Sequence, residues 1–368
     1  MVNDLHTSQT QPLRLAFLGG GQNSAVGYTH YLAARMDGFF EVVAGCFSRD
    51  AEVNRQTGRG FAISEARIYP SIDALLSKES GQVDAVCVLT PTPNHAETVV
   101  KCLQAGFNVI CEKAIATSVA ECRKIEEALA ASDRFFGLKF NYAGYPMVRE
   151  ARQIIQTGGL GRIQQIYCEM PTEHFARQGA DPQNWRKKDY TIPCVSLDLG
   201  VHVHHLVHYL SGGKKPLSLN SSQASYGKVQ QVVDTVAALA EYEDDLLVSL
   251  MWGKAALGYR NGLRIRVFGE HGALEWYQME PEVLHHATED GQRYTIDRGQ
   301  NGLLEASKLR YNRFKAGHPA GFVEAFANIY ADFAQGLLGG SEAKAITENF
   351  SADVAVQGIA MMERIAEA

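Results

Sequence analysis

The sequence predicts two domains: an α/β domain on a parallel sheet, then an α+β domain with a large, mostly antiparallel, open-faced sheet. Three observations predict this. The 368 residues exceed the roughly 100–200 of a single domain. The first 140 residues alternate short, continuous apolar runs with helix-like stretches, the rhythm of a parallel sheet covered on both faces. Beyond about residue 141, strand-like runs follow one another with few helices between them, as antiparallel strands do. The expected domains are 1–140 and 141–368.

The elements follow in order. Residues 13–18 are apolar and end in Gly19-Gly20-Gly21, and 25–36 reads as a helix. A second strand is expected over 40–46, rich in β-branched and aromatic residues, then a short helix over 71–78. The apolar run 83–90 is stopped by Pro91 and Pro93, and helix 95–105 ends at Gly106. Strand 108–111, helix 118–131 and strand 134–140 close the series. In the second domain, helix 147–157 is ended by Gly158-Gly159 and followed by strand 162–170. A polar loop over 171–193 carries Trp185 and Arg186, and a His-rich helix covers 198–210. Strands are expected over 232–241, 246–252, 263–268, 273–277, 283–286 and 294–297, and helices over 321–338 and 349–367.

Composition excludes several classes. Lys+Arg number 35 and Asp+Glu 41, a net charge of −6, so a nucleic-acid partner is not expected. No apolar run approaches the ~20 residues of a membrane span. The N-terminal twelve residues are polar and lack a signal-peptide pattern, which predicts a cytoplasmic protein. The seven cysteines form no C-x-x-C pair and several lie in apolar runs, as buried free thiols do.

Gly19-Gly20-Gly21 follows the first strand and precedes a helix. There, glycines admit a pyrophosphate against the backbone and the helix N-terminus supplies N–H groups and a positive dipole end. The strict G-x-G-x-x-G spacing is not met: Gly19 and Gly21 fit, Ser24 holds the third position, and the next glycine is Gly27. The expected ligand is NAD(P)(H). No carboxylate ends the second strand, and Ser48 and Arg49 suit a 2′-phosphate, a lean toward NADP(H); Asp50 keeps NAD open.

Two further segments are specific. Cys111-Glu112-Lys113-Ala114 follows a buried strand, and Asp198-Leu199-Gly200-Val201-His202 opens the His-rich helix. With the glycine loop, they resemble the glucose-fructose oxidoreductase / inositol dehydrogenase / rhizopine catabolism (Gfo/Idh/MocA) family, over about residues 13–340. Thr90-Pro91-Thr92-Pro93-Asn94-His95, Asn141-Tyr142, Trp185-Arg186 and Gly317-His318-Pro319 add to the resemblance. Ala114 stands in place of the family's usual proline, and Ala143 where many members have arginine. Pro193-Cys194-Val195-Ser196 replaces a frequent glycine run.

The resemblance implies a Rossmann domain and an NAD(P)-dependent oxidoreductase acting on the CH–OH of a sugar, sugar derivative or polyol. It implies a homo-oligomer, dimer or tetramer, built through the second sheet. Catalysis falls to Lys113, Asp198 and His202. Cofactor contacts are expected from Gly19, Gly21, Gln22, Asn23, Ser24, Ser48, Arg49, Thr90, Pro91, Asn94, His95, Glu112 and Lys113. Substrate contacts are expected from Lys113, Tyr142, Trp185, Arg186, Asp198, His202 and His318.

The chemistry suits these residue types. A histidine can take and return the carbinol proton near neutrality, an ammonium stabilises developing negative charge on oxygen, and the cofactor accepts the hydride. Each residue also has a plain structural alternative: a surface lysine, a helix-capping aspartate, a buried core histidine. His202, His204, His205 and His208 invite a metal reading, but on a helix they divide between two faces, so no metal is expected. Three alternatives remain: tightly bound nucleotide with internal redox, a non-catalytic nucleotide-binding regulator, and, more remotely, a metal-dependent hydrolase.

Overall fold

The computed structural model describes residues 11–339 and 348–367; the polar N-terminal segment read for targeting lies almost wholly outside them. Two compact units result. One comprises the described residues up to Asn141 together with those of Phe322–Val356; the other comprises Tyr142–Gly321 and the described residues from Gln357. The described residues of 322–356, expected with the second domain, thus return to the first. The reason is packing: helix Phe322–Leu338 lies against helix Gly27–Arg35.

In the first unit, strands β1 (Leu13–Gly19), β2 (Phe40–Cys46), β3 (Ala85–Leu89), β4 (Val109–Glu112) and β5 (Phe136–Lys139) form a sheet of order β2-β1-β3-β4-β5. Every pair is parallel. β3 and β4 are buried along their whole length, as expected of strands covered on both faces. The helices are α1 (Gly27–Arg35), α2 (Ala51–Gly60), α3 (Ile72–Glu79), α4 (His95–Gln104) and α5 (Val119–Ala130). α3 and α5 start at Ser71 and Ser118, whose side chains accept from backbone N–H groups, an N-cap arrangement. α2 was not anticipated. Its buried face is Asn54, Thr57 and Gly58, so it has no apolar stripe to read.

The second unit holds α6 (Pro146–Gln156), α7 (Val201–Ser211) and eight strands: β6 (Ile163–Pro171), β7 (Pro216–Ala224), β8 (Thr235–Tyr242), β9 (Leu246–Gly253), β10 (Arg264–Gly269), β11 (Gly272–Tyr277), β12 (Val283–Thr288) and β13 (Arg293–Asp297). Their order is β13-β12-β11-β10-β6-β9-β8-β7. β6 and β9 run parallel and the remaining pairs antiparallel. β7 was also unanticipated: it is an edge strand of mostly polar, half-buried residues.

α6 and α7 pack on one face of this sheet. The other face presents Leu239, Leu247 and Met251 to solvent, the alternation of a sheet buried on one side. α8 is Phe322–Leu338, and α9 (Ala352–Glu367) ends the described chain. All seven cysteines are buried thiols. Among the described residues, no helix is long and apolar enough to cross a membrane.

Candidate active site

In the first unit, a cradle of glycines joins β1 to α1. Gly19 and Gly20 have φ of +90° and +75°, conformations glycine adopts without steric cost. A Cβ on Gly19 would lie 2.6 Å from the Leu89 carbonyl, and one on Gly27 would lie 2.0 Å from the Gly20 oxygen. Gly27 is therefore the third structural glycine, six residues beyond Gly21, and it seats the first turn of α1 on the loop. Ser24 Oγ accepts from the N–H groups of Val26 and Gly27, at 3.3 and 3.1 Å. Gln22 turns toward α2, its N–H on Thr57 Oγ1 and its amide on Gln56, and Asn23 is exposed. This bare backbone at a helix N-terminus fits the diphosphate of a dinucleotide.

At the end of β2, Ser48 Oγ accepts from the Asp50 N–H at 3.1 Å. The Asp50 carboxylate caps α2, accepting from Glu52 and Val53 at 2.9 Å, while Arg49 is exposed. After β3, the Thr90 hydroxyl is buried and has no partner among the described residues. Pro91 and Asn94 are exposed around the turn Thr92–Asn94.

His95 and Glu112 point inward instead. The two ring nitrogens of His95 lie 2.6 Å from the carbonyl oxygens of Ala114 and Thr90. Burial pushes this histidine below its ordinary value, against the pull of the two carbonyls. Glu112 Oε1 meets His30 Nε2 at 3.0 Å, and its Oε2 accepts from the Lys113 N–H at 3.1 Å. Lys113 is half-buried just beyond the carboxyl end of β4, the end at which open α/β sheets bind ligands; the Lys113–Ala114 peptide is cis.

In the second unit, Asp198 lies in a π-helical turn, Ser196–Gly200, that leads into α7 and His202. Gly200 permits this turn, because a Cβ there would lie 2.6 Å from Met362 Sδ and 2.9 Å from the Trp252 ring. Arg186 reaches Asp198 from the 171–193 loop with Nε and Nη2, each at 2.9 Å. Lys254 Nζ bonds the same carboxylate. Burial chiefly pulls Lys254 below the ordinary lysine value, and Asp198 opposes it.

The Tyr142 ring packs edge-on against His202, centroids 4.7 Å apart, and its hydroxyl accepts from Asn261 Nδ2 at 3.1 Å. Trp185 lies under the Arg186 guanidinium, 4.2 Å from charge centre to ring, within cation–π range. His318 is exposed, and its backbone carbonyl accepts from Arg298 at 3.2 Å. His204 and His208 stack 6.2 Å apart, and among the described residues no three His, Cys, Asp or Glu side chains converge as metal ligands do.

Residues 13–140 match the model of an oxidoreductase family with an NAD-binding Rossmann fold, named GFO_IDH_MocA. Residues 148–275 match the GFO/IDH/MocA C-terminal domain. The chain belongs to the GFO/IDH/MocA family. It is an NAD-binding oxidoreductase.

Individual relatives match over most of the chain. An uncharacterized oxidoreductase, YfiI, of Bacillus subtilis is 28% identical over 88% of this chain and 85% of its own. A 2,7-anhydro-N-acetylneuraminate hydratase of Mediterraneibacter gnavus is 28% identical over 63% of this chain and 64% of its own. The fold superposes on an inositol dehydrogenase homolog from Azotobacter vinelandii, crystallised with NADH and myo-inositol. That match has a TM-score of 0.87 and 28% identity, over 97% of this chain and 95% of that one.

Lys254 is the partner of Asp198 in the second unit that sequence reasoning missed. The signal was present: like Lys113 after β4, Lys254 directly follows a largely buried strand, β9. His30 was missed as well, because a histidine inside a short helix carries no motif.

Proposed function

We propose that the chain is an NAD(P)-dependent dehydrogenase acting on a CH–OH carbon of a sugar, sugar derivative or polyol, with Lys113, Asp198 and His202 as catalytic residues. The observation that carries this reading is the buried Asp198 carboxylate, set between Arg186 and Lys254 at the start of the segment bearing His202. Two cations offset its desolvation cost and fix its oxygens as acceptors for a hydroxyl. His202 serves as the base for the carbinol proton, its ring oriented by Tyr142. Lys113 stabilises the oxygen as charge develops. The bound nicotinamide supplies the hydride acceptor. Gly19, Gly20, Gly21 and Ser24 would hold the diphosphate, and the buried Thr90 hydroxyl would be free to donate to the nucleotide.

The inositol dehydrogenase homolog with NADH and myo-inositol supports the polyol reading and NAD. Arg49, exposed at the end of β2, and Asp50, engaged as a helix cap, support NADP(H). The second sheet's outward face, with Leu239, Leu247 and Met251, supports a homo-oligomer formed there.

The test is to identify the nucleotide that co-purifies, then to screen sugars, polyols, sugar phosphates and sugar nucleotides for its reduction. Lys113→Ala and His202→Ala should abolish turnover while cofactor binding persists; undiminished oxidation in both variants sinks the reading. The similarity to a hydratase favours one second reading, internal redox on a nucleotide that is never released. Turnover of a substrate with no net NADH would select it.

A further inference from the structure

The first unit contains a buried polar chain that none of the roles above uses. His30 in α1 is fully buried. Its Nε2 lies 3.0 Å from Glu112 Oε1 at the end of β4, and its Nδ1 lies 2.7 Å from the Tyr330 hydroxyl of α8. Cys87 of β3 brings its sulfur within 3.4 Å of the same hydroxyl. The other Glu112 oxygen takes the Lys113 N–H at 3.1 Å.

One assignment of donors and acceptors satisfies every bond. Burial pushes His30 below the ordinary histidine value, outweighing the attraction of Glu112, which favours the neutral ring with one N–H. A carboxylate accepts only, so that N–H is on Nε2. Nδ1 is then the acceptor and the Tyr330 O–H donates to it, leaving the tyrosine oxygen to accept from the Cys87 thiol. Each donor is used once and each step has an acceptor. Such a fully satisfied buried network fixes one geometry.

We propose that His30 and Tyr330 are positioning residues for Lys113, acting through Glu112. The carboxylate is nearly buried and gripped by two donors, so it fixes the backbone N–H at which Lys113 leaves β4. His95 fixes the far side at the Ala114 carbonyl, 2.6 Å away. The direction of the Lys113 Cα–Cβ bond is thereby set from both flanks. α1 contributes to both functions: its N-terminus closes the glycine cradle, and one turn further its His30 orients the lysine. The inference rests on the reading of Lys113 as catalytic for its use, but its geometry is tested separately.

The test follows the lysine itself. Lysines of the full chain are 13C-dimethylated, and the Lys113 methyl resonance is assigned by its loss in Lys113→Arg. NADH is the probe. The wild-type resonance should stand apart from those of solvated lysines and shift on NADH addition.

In His30→Leu it should collapse toward the solvated envelope, while the NADH dissociation constant stays within about threefold, less than 1 kcal/mol. His30→Gln, whose amide can donate to Glu112 and accept from Tyr330, should restore it. A network that only stabilises the fold would not give this rescue. Tyr330→Phe removes one hydroxyl and serves if His30→Leu does not fold; it should move the resonance in the same direction. An unmoved Lys113 resonance in folded variants overturns the proposal. Undiminished turnover in Lys113→Ala overturns only the catalytic reading and leaves the resonance test standing.

Discussion

Arg186 grips Asp198 through two parallel hydrogen bonds, Nε to Oδ2 and Nη2 to Oδ1, both 2.9 Å long. Lys254 adds a second cation at Oδ2, so one nearly buried carboxylate answers two positive charges. Removing the carboxylate is expected to be worse than removing either cation. Asp198→Ala leaves Lys254 buried without its counter-charge, a cost of about 3–5 kcal/mol, whereas Arg186→Ala loses charge-assisted bonds worth about 1.5–3 kcal/mol. The double variant Asp198→Ala/Lys254→Met should recover most of the loss. Arg186→Lys should behave like Arg186→Ala, since an ammonium cannot span both oxygens. Thermal melting midpoints check the ranking; an Asp198→Ala midpoint at or above that of Arg186→Ala would contradict it.

Gly27→Ala should damage cofactor binding and stability together. The added methyl would lie 2.0 Å from the Gly20 oxygen, a backbone atom that no rotamer change can clear. Overpacking of this kind costs about 1–3 kcal/mol. Forcing α1 off the loop also displaces the N–H groups proposed to receive the diphosphate. NADH fluorescence titration should show at least a tenfold loss of affinity, about 1.4 kcal/mol. By contrast Gly106→Ala, where a Cβ meets nothing within 4 Å, should leave NADH affinity unchanged, although its φ of +81° lowers stability.

Arg49 is the residue expected to set the nucleotide preference. It is exposed at the end of β2, beside Ser48 and beside an Asp50 already engaged as the cap of α2. Arg49→Ala should weaken NADPH relative to NADH by about tenfold, in line with one charge-assisted contact. Paired dissociation constants for the two cofactors decide it. An unchanged ratio would leave Arg49 a plain surface charge.

What the sequence disclosed depended on how each feature is encoded. Strands β1, β3 and β4 are buried on both faces and read directly as apolar runs. β7 and α2 did not, because one is a polar sheet edge and the other buries Asn54, Thr57 and Gly58. Gly27 was visible as a glycine out of register, but only the approach of the Gly20 oxygen explains it. Lys113, Asp198 and His202 stood out because the short motifs that carry them resemble those of the family. Lys254 and His30 meet their partners 56 and 82 residues away in the chain, and no local pattern records such a pairing. The return of α8 to the first unit is long-range in the same sense.

His204 is expected to make the second unit acid-labile. It is buried in α7, and burial, with help from neighbouring His208, pushes it down to about 3. An unfolded histidine titrates near 6.5. Between these values the unfolded chain binds the proton and the folded chain does not, so stability falls as pH drops. The contribution is complete above about 6.5 and is lost progressively toward about 3; at pH 5.5 roughly 1.4 kcal/mol is gone. His204→Leu removes the titrating group while filling similar space against Gly358, whose added Cβ would lie 3.1 Å from His204 Nδ1. Melting midpoints at pH 7.5 and 5.5 should differ less in the variant than in the wild type. Equal differences would mean that His204 takes up its proton in the folded chain.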